Sequence, residues 1–218
     1  GVIVGVAGDV VHDLRRDAAA LSAGLRREFP DVMQYTASRC LPIAGEVITD
    51  RPDCKAINDF VMSEIDQLKP RQIFLHADWR RHQQQEPAVN IRKTIDFIRR
   101  VSPNSSITIV GGVPQWHPSL PIVLFRQHVS MDQSLYLHSS VFDEISRLDT
   151  AFESTARETG VQFFSALQAF CRRDECQPTT TLDGAWTLTT WDYGHMTEGG
   201  SAFLSRKLLD AQTAGNGK

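Results

Sequence analysis

The chain has 218 residues, of which 41% are hydrophobic and 8% aromatic, enough apolar material to bury a substantial core in one globular domain. The formal charge of -3 is small, no Lys/Arg run is interleaved with aromatics, and pairs such as Arg26-Arg27, Arg80-Arg81, Arg99-Arg100 and Arg172-Arg173 are isolated and read as solvated faces, so no nucleic-acid partner is expected. No apolar run approaches the ~18 to 20 residues needed to cross a bilayer, and the N-terminus lacks the basic-then-apolar layout of a signal peptide.

In chain order, the sequence opens on the apolar run Val2-Ile3-Val4-Gly5-Val6-Ala7, a predicted core strand over residues 3–7. Any targeting or membrane portion is therefore expected to have been cleaved, excised or never to have belonged here. A helix is predicted over 11–28 and a strand over 32–36. A second helix spans 54–68, with Ile57, Phe60, Val61, Ile65 and Leu68 on one stripe. A strand over 72–76 and a helix over 88–101, its stripe made by Ile91, Ile95, Phe97, Ile98 and Val101, come next. After a strand over 107–110, residues 122–138, with Arg126, His128 and His138, read as a long irregular insertion, a lid or a docking surface. A helix over 141–159, a strand over 161–164 and a helix over 201–211 complete the pattern. Strand and helix in alternation predict a mostly parallel sheet, a three-layer α/β/α sandwich. Residues 1–212 form a single domain and 213–218 a flexible tail. In such sheets the working site gathers beyond the carboxyl ends of the strands, here 8–13, 37–45, 77–82, 111–121 and the loop near 192.

That last loop carries the chemistry: Trp191-Asp192-Tyr193-Gly194-His195-Met196-Thr197. An Asp three residues before a His can hold the imidazole in one tautomer. The carboxylate accepts the proton of one ring nitrogen and leaves the lone pair of the other to take a proton from a hydroxyl, as in the second half of a serine-type triad. Thr197-Glu198-Gly199-Gly200 then reads as a helix start with Thr as N-cap and an acid in the first turn. The plainer reading of the same spacing is a local hydrogen bond at a helix entrance. Trp116, Trp186 and Trp191 each read either as packing or as a face for a sugar ring.

Cys40 with Cys54, and Cys171 with Cys176, are close enough to close short loops. Two disulfides in an oxidising compartment are the favoured reading; four buried thiols and a metal site are the alternatives, although neither pair has the usual zinc spacing. His12 and Asp13, beside Gly8-Asp9, fit helix-start chemistry better than a metal cluster.

Four stretches resemble the SGNH (GDSL-like) hydrolases, in the flavodoxin-like version fused to the C-terminus of membrane acyltransferase-3 proteins that acylate bacterial surface sugars. They are Thr36-Ala37-Ser38-Arg39-Cys40-Leu41-Pro42, Gln72-Ile73-Phe74-Leu75-His76-Ala77-Asp78-Trp79, the run from Ile107 through Gly111-Gly112-Val113-Pro114, and the closing block from Cys171 and Cys176 through Asp183-Gly184 to Asp192 and His195. The resemblance implies His195 as base, Asp192 as its orienting partner, both cysteine pairs as disulfides, and no metal or organic cofactor. It also implies a periplasmic or other extracytoplasmic location tethered to the inner membrane, with a carbohydrate acceptor, an acyl donor and an upstream membrane acyltransferase domain as partners. Trp79 falls where simpler relatives carry an oxyanion-hole Asn, so it and Trp116 are candidate substrate contacts.

One departure concerns the nucleophile, a Ser in a Gly-Asp-Ser triplet that this chain lacks. Aligned by the first strand the position is Val10; aligned by the helix around Ala18-Ala19-Ala20-Leu21 it is Arg16. Ser22, Ser38 and Thr36 are ordinary polar residues by their placement. The six-residue mismatch points either to an opening segment displaced by a reading-frame slip or to a fold that keeps the acid–base pair and binds without catalysis. The expected function is acyl transfer to, or ester hydrolysis on, surface carbohydrate, with a catalytically silent binding or docking module as the alternative.

Overall fold

Branched and aromatic residues alternate along the central strands, and the alternation sorts two cores. In β3 (Gln72–Ala77), Ile73, Leu75 and Ala77 belong to one core and Phe74 to the other; in β4 (Ser106–Val110), Ile107 and Ile109 join the first and Val110 the second. Both faces are buried, as expected of a parallel sheet covered by helices on each side. The computed structural model describes residues 2–8, 32–49, 51–80, 86–130 and 135–215. The helix expected over 11–28 lies outside them, as do Val10, His12, Asp13, Arg16 and Ser22.

β1 (Val2–Gly8) lies inside the sheet, parallel to β2 (Val32–Ser38) on one side and to β3 on the other. β6 (Gln162–Phe164) pairs with β4 and completes the order β2-β1-β3-β4-β6. α1 (Cys54–Leu68), α2 (Pro87–Val101) and α4 (Phe142–Thr159) cover one face through Ile65, Ile91, Ile95, Ile98 and Phe152. α5 (Ala166–Phe170) and α6 (Glu198–Gly215) cover the other through Phe170, Leu204 and Leu208. The result is the expected three-layer α/β/α sandwich.

Some expectations need correction. In α1, Phe60 and Leu68 are exposed and Asn58 is buried. The Asn58 amide donates to the carbonyls of Leu41 and Ile43, so satisfying the loop after β2 rotates the buried stripe. The 122–138 insertion is not irregular throughout: α3 (Leu120–Arg126) starts on Pro121 at its first turn and buries Leu120 and Leu124, and β5 (Leu137–His138) ends it. Of the expected tail, residues up to Gly215 continue α6.

Both cysteine pairs are disulfides, which sets aside the free-thiol and zinc readings. Cys40–Cys54 ties the loop after β2 to the start of α1. Cys171–Cys176 crosses the two-residue strands β7 (Cys171–Arg172) and β8 (Glu175–Cys176), and β8 pairs with β5. A hairpin of β9 (Thr179–Leu182) and β10 (Ala185–Leu188) follows, turned by Asp183-Gly184, both at positive φ (50° and 83°). Two left-handed residues in a two-residue loop match the twist of the strands.

Asp149 of α4 is 6% exposed and fastens the turn after β4. Its Oδ2 accepts from the Ser165 hydroxyl, the Gly112 N–H also bonds to it, and it lies so close to Gly111 that a Cβ there would overlap Oδ1. Burial outweighs these bonds and pushes its carboxyl from 3.8 up to about 6. A raised folded-state value means the stabilisation belongs to the protonated form: it is complete below pH 3.8 and is lost as pH rises through about 6. Asp149→Asn should therefore gain stability relative to the parent between pH 4 and pH 7, by at most about 3 kcal/mol. Urea midpoints of the two proteins at each pH read this, and a difference that stays constant across the range contradicts it.

Candidate active site

The loop from Thr189 to Thr197 closes on itself before it can position anything else. Thr190 and Met196 form an isolated bridge, the Trp191 N–H donates to the His195 carbonyl at 3.0 Å, and the Thr197 N–H donates to the Thr189 carbonyl at 3.1 Å. Within it, Asp192 Oδ1 accepts from the Gly194 N–H (2.9 Å) and the His195 N–H (2.8 Å), while His195 Nδ1 and Asp192 Oδ2 are 2.6 Å apart. A carboxylate only accepts, so Nδ1 carries the proton and the basic lone pair is on Nε2. Burial alone would raise the Asp192 carboxyl, but the bonds from the His195 ring and the two N–H groups win and hold it below its ordinary range.

The imidazole is confined from several sides. The Trp191 ring stacks on it with centroids 5.5 Å apart and 20° between planes, and Tyr193 meets it edge-on at 5.1 Å. Only 11% of the His195 side chain and 22% of the Asp192 side chain are exposed. Of the loop's aromatics, Trp191 presents the exposed surface, at 41%.

Two contacts set the loop against the carboxyl edge of the sheet. From the segment after β4, the Trp116 N–H donates to the Tyr193 carbonyl (2.7 Å) and the Leu120 N–H to the Asp192 carbonyl (3.0 Å). Gln115 packs on Gly194, where a Cβ would meet its Cγ at 3.0 Å, and Gln115 Oε1 accepts from Arg80 at 2.7 Å, just past β3. From the other side, Thr197 caps α6: its Oγ1 accepts from the Gly200 N–H at 3.0 Å and its hydroxyl donates to the Leu188 carbonyl. Added Cβ atoms at Gly199 and Gly200 would overlap Thr187 and the Thr189 backbone carbonyl. The two glycines thus let the β9–β10 hairpin lie directly on the helix start.

Asp192 and His195 come together as the sequence suggested. Trp79 and Trp116 do not present sugar-binding faces, which corrects the expectation for both. Trp79 is 1% exposed, donates its indole N–H to the Val110 carbonyl at 2.8 Å and packs on Phe152; Trp116 is 0% exposed among Leu120, Leu124 and Ile145. Each fills the space under the strand-end loops. Sequence reasoning missed Arg80 and Gln115, whose only signal was their place just after strands β3 and β4. Among the described residues no cluster of three metal-ligating side chains occurs, and no helix is long and apolar enough to cross a membrane.

The model of a family described as "SGNH domain (fused to AT3 domains)" matches residues 18–210, most of the chain. No curated protein matches it by sequence. The periplasmic domain of a lipopolysaccharide acetyltransferase from Salmonella ser. Paratyphi A superposes with a TM-score of 0.75 at 23% identity, over 97% of this chain and 83% of that one. Est24, a carbohydrate acetylesterase from Sinorhizobium meliloti, gives 0.57 at 12% identity over 98% of both chains. An aryl esterase from M. smegmatis gives 0.55 at 13% identity, over 98% and 99%. At these identities the likenesses establish a shared fold.

The close approach at Gly200 yields a stability prediction. The Thr189 carbonyl that a Cβ would strike is backbone, held by the Thr197 N–H, while the Thr189 N–H is held by Pro178 at 2.8 Å. Gly200→Ala should cost about 2 kcal/mol by overpacking, read as a lower denaturation midpoint. An unchanged midpoint would show that the hairpin can move off the helix freely.

Proposed function

The chain belongs to the family of SGNH domains fused to AT3 domains, and from that membership we propose that it handles O-acyl esters of bacterial surface carbohydrate, with His195 as the general base. The observation that carries the reading is the 2.6 Å contact between Asp192 and His195 Nδ1 in a nearly closed loop at the sheet edge. In the proposed reaction an alcohol oxygen attacks the acyl carbonyl carbon as its proton moves to Nε2. The proton then passes to the leaving alkoxide as an acyl-enzyme forms. A sugar hydroxyl or water, deprotonated by the same nitrogen, takes the acyl group and releases the alcohol. Asp192 keeps the ring in register and stabilises the imidazolium, a role worth on the order of 10^4 in rate in comparable triads. No step calls for a metal or an organic cofactor.

The alcohol has to come from outside the loop. β1 pairs with β2 up to Gly8 opposite Ser38, so Asp9 and Val10 are the first residues beyond the strand's carboxyl end. Continuing that strand makes Val10 the counterpart of the family's Ser, the register of Ala18-Ala19-Ala20-Leu21 makes it Arg16, and neither supplies an alcohol. The lack of an alcohol at either position also favours a second reading, in which the cleft binds an acylated sugar without turning it over. Genomic sequence that recovers a Ser codon in another frame would restore the enzyme reading in full.

An extracytoplasmic location, tethered through an upstream membrane acyltransferase domain, is proposed on two supports. The family is fused to AT3 domains, and both cysteine pairs form disulfides, which persist in oxidising compartments. The acetyltransferase and carbohydrate acetylesterase folds support a carbohydrate acceptor.

Hydrolysis of p-nitrophenyl acetate tests the chemistry. Either Val10→Ser or Arg16→Ser should raise the rate about 100-fold or more above the parent chain, and adding His195→Ala should remove the gain. Equal rates with and without His195 in both serine variants would assign the cleft to binding alone.

A further inference from the structure

Beyond the catalytic loop, the β9–β10 hairpin and the outer side of α6 enclose an open groove of about 370 Å³. Its lining combines the Trp186 and Phe203 rings with donors and acceptors of several kinds: Thr181 and Gln177 from the hairpin side, and Arg206, Lys207 and Asp210 from the helix. Trp186 is 38% exposed, although tryptophan usually buries most of its surface. Lys207 lies over the Phe203 ring, 5.7 Å from its centroid, so its ammonium is held at the groove's wall.

We propose that this groove is a second carbohydrate subsite that takes a sugar ring of the acceptor chain remote from the one being acylated. The inference deepens the carbohydrate reading above and rests on it. A sugar ring presents an apolar C–H face and a rim of hydroxyls that both donate and accept. The groove offers a matching set: an indole for the face, the Asp210 carboxylate to accept, the Arg206 and Lys207 cations to donate, and the Thr181 hydroxyl and Gln177 amide to do either. An apolar helix would leave these polar groups without partners on docking. With two cations to one carboxylate, the groove favours a carboxylate-bearing sugar over a neutral one.

The position suits a polymeric acceptor. Arg206 and Asp210 lie about 14 and 20 Å along the helix axis from Thr197, at 1.5 Å per residue, and the hairpin that carries Trp186 ends at Leu188, whose carbonyl Thr197 holds. A chain several sugars long could therefore touch the imidazole loop and the groove at once. Gripping it in the groove would raise the effective concentration of its other units at the loop.

Indole N–H signals of the 218-residue chain, assigned by single Trp→Phe variants, test the subsite during titration with hexagalacturonate and isomaltohexaose. Hexagalacturonate should shift the Trp186 signal and bind more tightly than isomaltohexaose. Arg206→Gln and Trp186→Ala should each weaken it tenfold or more, and His195→Ala should leave the Trp186 response intact. Shifts confined to Trp191 would overturn the subsite while leaving sugar binding at the catalytic loop standing. No shift at Trp186 with either probe, or an unchanged dissociation constant in both groove variants, would also overturn it.

Discussion

One carboxylate organises the functional end of this molecule. Asp192 receives three donors, two backbone N–H groups on Oδ1 and the His195 ring on Oδ2. The first two fix the carboxylate relative to the chain that carries the histidine, so the third arrives with little freedom left to lose. Hydrogen bonds to the ionised form also outweigh the burial that would otherwise keep the acid protonated. A negative charge is thus held at the one place where it selects the tautomer with its basic lone pair on Nε2.

The loop is held from two independent directions. On one side the segment after β4 donates Trp116 and Leu120 N–H groups to the carbonyls of Tyr193 and Asp192. On the other, Thr197 caps α6 and bonds to the end of β10, with Gly199 and Gly200 allowing strand and helix to touch. Trp79 and Trp116 serve this arrangement from below, as incompressible filling beneath the loops. An aromatic at a strand end is not by that fact a ligand-binding aromatic. The ring that reaches solvent at the site is Trp191, which the stacking on His195 keeps in place.

Among the described residues, the contacts that brace the imidazole loop come from after β3, whereas in the family the nucleophile is expected after the first strand. The two halves of a serine-type site are therefore far apart in sequence. The C-terminal hairpin and α6 carry both the imidazole loop and the groove around Trp186, so under the proposed function recognition of a long substrate and orientation of the base would share one unit.

Periodicity and local spacing determined much of this from the sequence. Alternating short apolar runs with helical stripes forced a parallel sheet, the matched bounds of α1 at Cys54–Leu68 followed from an unbroken stripe, and an Asp three residues before a His with a Thr behind it specified the dyad and its helix cap. These features are local, set within a few residues of backbone. The orientation of the tryptophans, the rotation of α1 that buries Asn58, and the bracing of Gly194 by Gln115 and Arg80 were decided only in the tertiary structure. Each depends on which unsatisfied carbonyl or empty volume a distant segment brings alongside, and no spacing along the chain encodes that.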